Sequence, residues 1–153
     1  MLNLPNTSEQ EITHVVREAI ARAVAIVGLA GVALIHVLDA HDTFEATPYK
    51  GWMYVGLIVG CLVPAAMLIR SSDRRAWLAT LLFPLGAFVA FVYSRTVGLP
   101  ASADDIGNWW EPLGLASLFV EGCLVALAGA VLADGVRSGA ERRSLMARVS
   151  VVR

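Results

Sequence analysis

The stretch NWWEPLGLASLFVEGCLVALAGAVLA, residues 108–133, decides the fold. Apart from Glu121, residues 112–133 form an unbroken run of apolar and small side chains. A helix needs a run of about 20 such residues to cross the hydrocarbon core of a bilayer. An ionisable group inside such a span is costly and needs a partner. The stretch therefore predicts a transmembrane helix that carries a buried carboxylate.

Three further apolar segments have the length of a membrane span. With residues 108–133, they predict helices at about residues 8–40, 51–70, 75–95 and 112–134. The chain is 57% hydrophobic and only 16% charged, and its mean hydropathy of +0.65 lies outside the usual range for soluble domains. We therefore predict an all-α protein, a single transmembrane domain of four helices arranged as two antiparallel hairpins.

The distribution of basic residues predicts the orientation of this bundle. All but two of the twelve lysines and arginines lie in the N-terminal flank, in residues 70–75 or in the basic tail, residues 137–153. The connections 39–50 and 95–112 are acidic and hold only Lys50 and Arg95. Because cytoplasmic loops are enriched in lysine and arginine, we predict a multi-pass protein of the bacterial cytoplasmic (inner) membrane with both termini in the cytoplasm.

A polar cluster is predicted in the outer half of the bundle, around Glu121. Ser117 lies one turn before Glu121 on the same helical face, so both are expected to face the interior. His36 near the end of the first helix, Arg95 at the end of the third and Tyr54 near the start of the second are expected at a similar depth. The sequence therefore predicts an intramembrane cluster of His36, Arg95 and Glu121, with Tyr54 and Ser117 as pocket lining.

Three interpretations of this cluster remain open. In the first, it is structural, and the protein is an accessory or interaction subunit of a membrane complex, which the short extramembrane loops favour. In the second, Glu121 and His36 form the site of a small transporter or of a ligand- or ion-binding protein.

In the third interpretation the outer face carries a metal or catalytic site. Its possible ligands are His36, Asp39, His41 and Asp42, with Glu121 as a further one, because imidazole and carboxylate groups bind zinc or copper. The metal and any cofactor are not identifiable from the sequence. No Gly-rich phosphate loop, G-x-S-x-G or H-E-x-x-H motif is present, which lowers the expectation of an enzyme.

The expected partners are the lipid bilayer and other membrane proteins. Gly56 and Gly60 form a GxxxG motif, which permits close approach of another helix and suggests self-association or contact with other subunits. The net charge of −1 and the absence of a basic domain argue against binding to nucleic acid.

The runs TFEATPYKGWMYVGLIVG (43–60) and SRTVGLPASADDIGNWWEPLGLASLFVEG (94–122) carry a family resemblance. In these segments the chain resembles uncharacterised small four-span bacterial integral membrane proteins. The resemblance covers most of the spans and implies the four-span fold. It implies no activity, cofactor or catalytic residue.

Overall fold

The computed structural model describes residues 7–151, without the side chains of residues 7, 8, 138 and 141–151. This part of the chain forms four α-helices: α1 (Thr7–Ala46), α2 (Pro48–Arg70), α3 (Arg74–Thr96) and α4 (Pro112–Val151). The helices pack against one another, most extensively within the pairs α1/α2 and α3/α4. The predicted all-α four-helix bundle is confirmed.

Each of the four described helices is long and apolar enough to cross a membrane. Large apolar side chains cover the outside of the bundle; Val27 is 71% exposed and Phe119 is 72% exposed. Such a surface is unfavourable in water and favourable against lipid chains. The architecture is therefore that of a small multi-pass membrane protein.

All four helices extend further than their predicted bounds, α1 and α4 by more than one turn. α1 ends at Ala46 rather than near residue 40, and only Thr47 separates it from α2. Thr47 has φ −149° and ψ 87°, because the residue before a proline avoids the helical region. α4 continues to Val151, so that residues 137–151 of the predicted tail are helical, while residues 152 and 153 lie outside the described part.

The bundle is packed differently at its two ends. We call the end that carries Thr47 and the α3–α4 connection, residues 97–111, the loop end. The tightly packed apolar core lies in the other half, where Leu29, Leu68 and Trp77 are at most 2% exposed. The half toward the loop end contains a cavity instead.

Arg22 joins α1 to α2 in the packed half. Its Nε donates to the carbonyl oxygen of Leu68 at 2.9 Å, and its Nη2 donates to that of Ile69 at 3.1 Å. These carbonyls belong to the last turn of α2, where no helical N–H is left to bind them. The arginine therefore caps α2 and fixes the first helical hairpin at the end opposite the cavity.

Candidate functional site

A cavity of about 460 Å³ lies in the loop-end half of the bundle and is lined by all four helices. Sites for small organic molecules typically have volumes of about 300–1,000 Å³. The polar part of the wall consists of His36, Asp39, Lys50, Tyr54, Ser94, Arg95, Asp105, Glu111, Ser117 and Glu121. The rest of the wall is apolar and includes the rings of Phe83 and Phe91.

Glu121, on α4, is the carboxylate of this wall that lies farthest from the loop end. It is only 2% exposed, and its Oε1 accepts a hydrogen bond of 2.7 Å from the Ser117 hydroxyl. The i, i+4 spacing of the two residues makes this contact possible. Its other oxygen, Oε2, is buried and has no hydrogen-bond partner among the described residues. A buried carboxylate with a free oxygen is costly to maintain without a binding partner.

His36, Tyr54 and Asp39 form the α1/α2 side of the cavity. The Tyr54 hydroxyl donates to Asp39 Oδ2 at 2.9 Å, and the rings of His36 and Tyr54 meet edge to face with their centroids 4.7 Å apart. His36 Nδ1 lies 2.9 Å from the carbonyl oxygen of Val32. Because a carbonyl oxygen can only accept a hydrogen bond, Nδ1 carries a proton. Nε2 is therefore unprotonated in the neutral ring and protonated in the charged ring.

Arg95 does not pair with Glu121. Its Nη1 lies 2.8 Å from Asp105 Oδ1, its Nη2 pairs with Glu111, and its guanidinium lies over the Phe91 ring at 4.7 Å from the centroid. Both carboxylates come from the α3–α4 connection, which folds back over the loop end. The buried arginine therefore fastens this connection to α3, and the predicted neighbours Arg95 and Glu121 share the cavity wall without forming an ion pair.

Lys50 completes this network from α2. Its Nζ lies 2.7 Å from Asp105 Oδ2 and 2.9 Å from the Ser102 hydroxyl. Partial burial by itself would raise the pKa of Asp105, but the hydrogen bond from Lys50 and the charges of Lys50 and Arg95 outweigh it and lower the pKa below its ordinary value. We call Lys50, Arg95, Asp105 and Glu111 the loop-end network.

Sequence reasoning missed three members of the loop-end network. Lys50 and Asp105 lie in the predicted connections 39–50 and 95–112, and Glu111 directly precedes Pro112 at the start of α4. Lys50 and Arg95 are the two basic residues of otherwise acidic segments, and that isolation is the signal that could have indicated their partners.

The proposed metal ligands are brought together only in part: His36, Asp39 and Glu121 line the cavity, but His41 and Asp42 do not. Asp39 faces Tyr54, whereas His41 and Asp42 are exposed, and His41 Nε2 lies 3.6 Å from Glu45 on the outside of α1. Residues 41 and 42 follow Asp39 on other faces of the same helix, because α1 does not end there. Among the described residues, no group of three or more His, Cys, Asp and Glu side chains has the geometry to hold a metal ion.

The two glycines of the GxxxG motif have different surroundings. Gly60 is buried against the ring of Phe83, so it serves the contact between α2 and α3 within the chain. Gly56 is exposed and lines the cavity, and a Cβ atom built on it would meet no atom within 4 Å. The two residues therefore do not present one continuous surface to a partner helix.

Comparison with protein-family models, curated proteins and solved structures found no match. The resemblance to small four-span bacterial membrane proteins therefore stays a prediction. The geometry of the cavity is the basis for a functional assignment.

Proposed function

We propose that this protein is a small membrane protein that binds a molecule with a cationic group in the cavity, through the carboxylate of Glu121. The observation that carries the proposal is the free Oε2 of this buried side chain in the wall of a cavity of about 460 Å³. A cation, or an N–H donor with positive charge, would supply the missing partner. Charge-assisted hydrogen bonds of this kind are about twice as strong as neutral ones.

The charges in the wall support a cationic ligand. Four carboxylates line the cavity, whereas Lys50 and Arg95 are the two side chains there that are always positive. Both of these cations are paired within the loop-end network. Asp39 and Glu121 have hydroxyl donors instead, from Tyr54 and Ser117, and so keep their negative charge uncompensated when they are ionised.

The other interpretations have less support. A purely structural cluster would bring Glu121 and Arg95 into direct contact, but the two terminal nitrogens of Arg95 pair with Asp105 and Glu111, and its buried Nε has no partner among the described residues. The role of an accessory subunit stays a prediction on which no described contact bears. A metal or catalytic site lacks a group of ligands within the described residues.

We also propose that the protein lies in the bacterial cytoplasmic membrane with both termini, including the basic tail, in the cytoplasm. The support is the distribution of lysine and arginine, which are concentrated at the end opposite the cavity. In this orientation the cavity belongs to the outer half of the membrane. Fusion of a reporter that is active on one side of the membrane to either terminus tests this orientation.

The binding proposal is tested by thermal unfolding of the purified protein in dodecyl maltoside. The probe is benzylammonium, which is positively charged at neutral pH, and the comparison is benzyl alcohol, which has a similar shape and no charge. A ligand present at 100 times its Kd stabilises the folded state by about 2.7 kcal/mol. We expect benzylammonium, but not benzyl alcohol, to raise the Tm of the wild type.

Two variants complete the experiment. Glu121→Gln is expected to lose the benzylammonium effect, because the amide has no charge. Glu45→Gln removes an exposed carboxylate on the outside of α1 and is expected to keep it. Equal stabilisation of the wild type and Glu121→Gln, or equal effects of the two probes, would overturn the proposal.

A further inference from the structure

We infer that the ligand is an amphiphilic amine drawn from the membrane, with its ammonium group at Glu121 and its alkyl chain passing outward between α2 and α3. This inference rests on the proposed function and specifies its ligand. It starts from the position of the opening of the cavity.

The exposed residues of the cavity wall lie mainly along the facing edges of α2 and α3. On α2 they are Met53, which is 49% exposed, and Gly56. On α3 they are Leu82, Phe83 and Gly86, the first two being 61% and 43% exposed. The cavity therefore opens sideways, through the surface that faces lipid in a membrane. We call this opening the lateral opening.

The two glycines keep the lateral opening free. A Cβ atom built on Gly56 or on Gly86 would meet no atom within 4 Å. One turn farther along α2, a Cβ atom on Gly60 would collide with the Phe83 ring, so that α2 and α3 are in close contact there. The gap between the helices is thus bounded by Phe83 on the side of the packed core and lined by two residues without side chains.

The lateral opening and Glu121 lie at the same depth. With a rise of 1.5 Å per residue, Gly56, Gly86 and Glu121 are each about 12–15 Å from the loop-end terminus of their helix. This distance reaches well into a hydrocarbon core of about 30 Å. A ligand bound at Glu121 can therefore extend an apolar chain sideways into the bilayer, and this chain does not have to turn along the bundle axis.

The connection narrows the route from the loop end without closing it, since the side chains of Asp105 and Glu111 stay 23% and 33% exposed. Lys50 and Arg95 both pair with Asp105 of the connection, and the Tyr49 hydroxyl donates to the carbonyl oxygen of Pro100 at 2.7 Å. These contacts hold the connection over the ends of α2 and α3. The opening toward lipid is consequently the more direct path to the cavity for a molecule dissolved in the membrane.

The chemistry of the wall selects the kind of amphiphile. Glu121 matches an ammonium group, and the apolar edges of α2 and α3 match an alkyl chain. An amphiphilic acid matches less well, because both terminal nitrogens of Arg95 already pair with carboxylates and its buried Nε is the one donor of the guanidinium without a partner in the part of the chain that the structure describes. A helix of a second copy matches less well too, because Gly60 is occupied by Phe83 within the chain.

The test uses the full chain in phosphatidylcholine nanodiscs and a photoreactive probe, octadecylamine with a diazirine at mid-chain. On illumination the diazirine loses N₂, and the resulting carbene inserts into a nearby C–H bond, which mass spectrometry locates. The comparison probe is octadecanol with the same diazirine. We expect the amine to label Met53, Leu82 or Phe83 at least tenfold more than the alcohol does, and Glu121→Gln to abolish this difference.

The decisive variant is the double substitution Gly56→Leu and Gly86→Leu, which fills the lateral opening. Gly129→Leu is its matched control, because a Cβ atom there also meets nothing within 4 Å and Gly129 does not line the cavity. We expect the double variant to lose the amine-specific labelling at least tenfold and to keep the stabilisation by benzylammonium, which has no alkyl chain and is small enough to enter from the loop end. The control should retain both.

The remaining outcomes separate the two proposals. If benzylammonium still stabilises the protein but the amine labels no more than the alcohol, the membrane amphiphile is overturned and the cation site stands. If the double variant loses both effects, the glycines lie at the head-group position and the alkyl path is overturned. If the double variant instead leaves the labelling unchanged but dissociates a dimer, as seen by light scattering, the lateral opening is a contact between two copies of the chain and the alkyl path is overturned. If benzylammonium has no effect on the wild type, both proposals fall.

Discussion

Replacing Arg95 with methionine tests the loop-end network as the element that holds the α3–α4 connection over the cavity. Arg95 is only 6% exposed, and its guanidinium joins Asp105 and Glu111. Methionine fills most of the same space but removes the charge from both ion pairs. The substitution therefore isolates the electrostatic contribution from that of packing.

The magnitude follows from what is left behind. Removing one partner of a buried ion pair typically costs about 3–5 kcal/mol. Asp105 keeps Lys50 at 2.7 Å, and the Glu111 side chain is 33% exposed, so water compensates part of the loss. We therefore expect the lower end of the range, about 3 kcal/mol, which is roughly a hundredfold change in the unfolding equilibrium. The unfolding free energy of Arg95→Lys should lie between those of the wild type and Arg95→Met, because one ammonium group cannot bind both carboxylates as the guanidinium fork does.

The assay is reversible unfolding in mixed micelles of dodecyl maltoside and sodium dodecyl sulfate, followed by far-ultraviolet circular dichroism. Arg17→Met is the matched control. Its ion pair with Asp134 is longer, at 3.6 Å, and both side chains are more than half exposed, so we expect a cost below about 1 kcal/mol. A double-mutant cycle with Glu111→Gln should give a coupling of about 1–3 kcal/mol. If Arg95→Met costs no more than Arg17→Met, the loop-end network does not stabilise the fold and the reasoning is wrong.

Two further predictions concern acid and close packing. The pKa of Asp105 is lowered in the folded state, so its stabilisation is complete above the ordinary aspartate pKa of about 3.9 and is lost as the pH falls through the lowered value. The difference in unfolding free energy between wild type and Asp105→Asn should therefore be constant above about pH 5 and shrink below about pH 4. A constant difference down to pH 2 would contradict this prediction. Gly60→Ala forces its Cβ atom into the ring of Phe83 and should destabilise the protein by about 1–3 kcal/mol. Gly56→Ala meets open space and should stabilise the helix by about 0.5–1 kcal/mol. Similar values for the two variants in the same unfolding assay would count against the packing of Gly60 on Phe83.

The sequence by itself predicted the all-α class and the four helices. Span length and apolar composition are local properties of a segment, so they can be read without knowing which helices are neighbours. The common face of Ser117 and Glu121 was also predictable, because the helical period alone puts residues four apart side by side. Their hydrogen bond follows from that spacing.

Only the tertiary structure decided which groups pair across the bundle. The sequence suggested Arg95 as a partner of Glu121, because depth along a helix can be counted, but the α3–α4 connection folds back and brings Asp105 and Glu111 closer to the guanidinium. Loop conformation and the lateral packing of helices depend on many distant residues at once and have no local period. The same reason explains why Gly60 packs within the chain and why a cavity remains around Glu121, with an opening between α2 and α3.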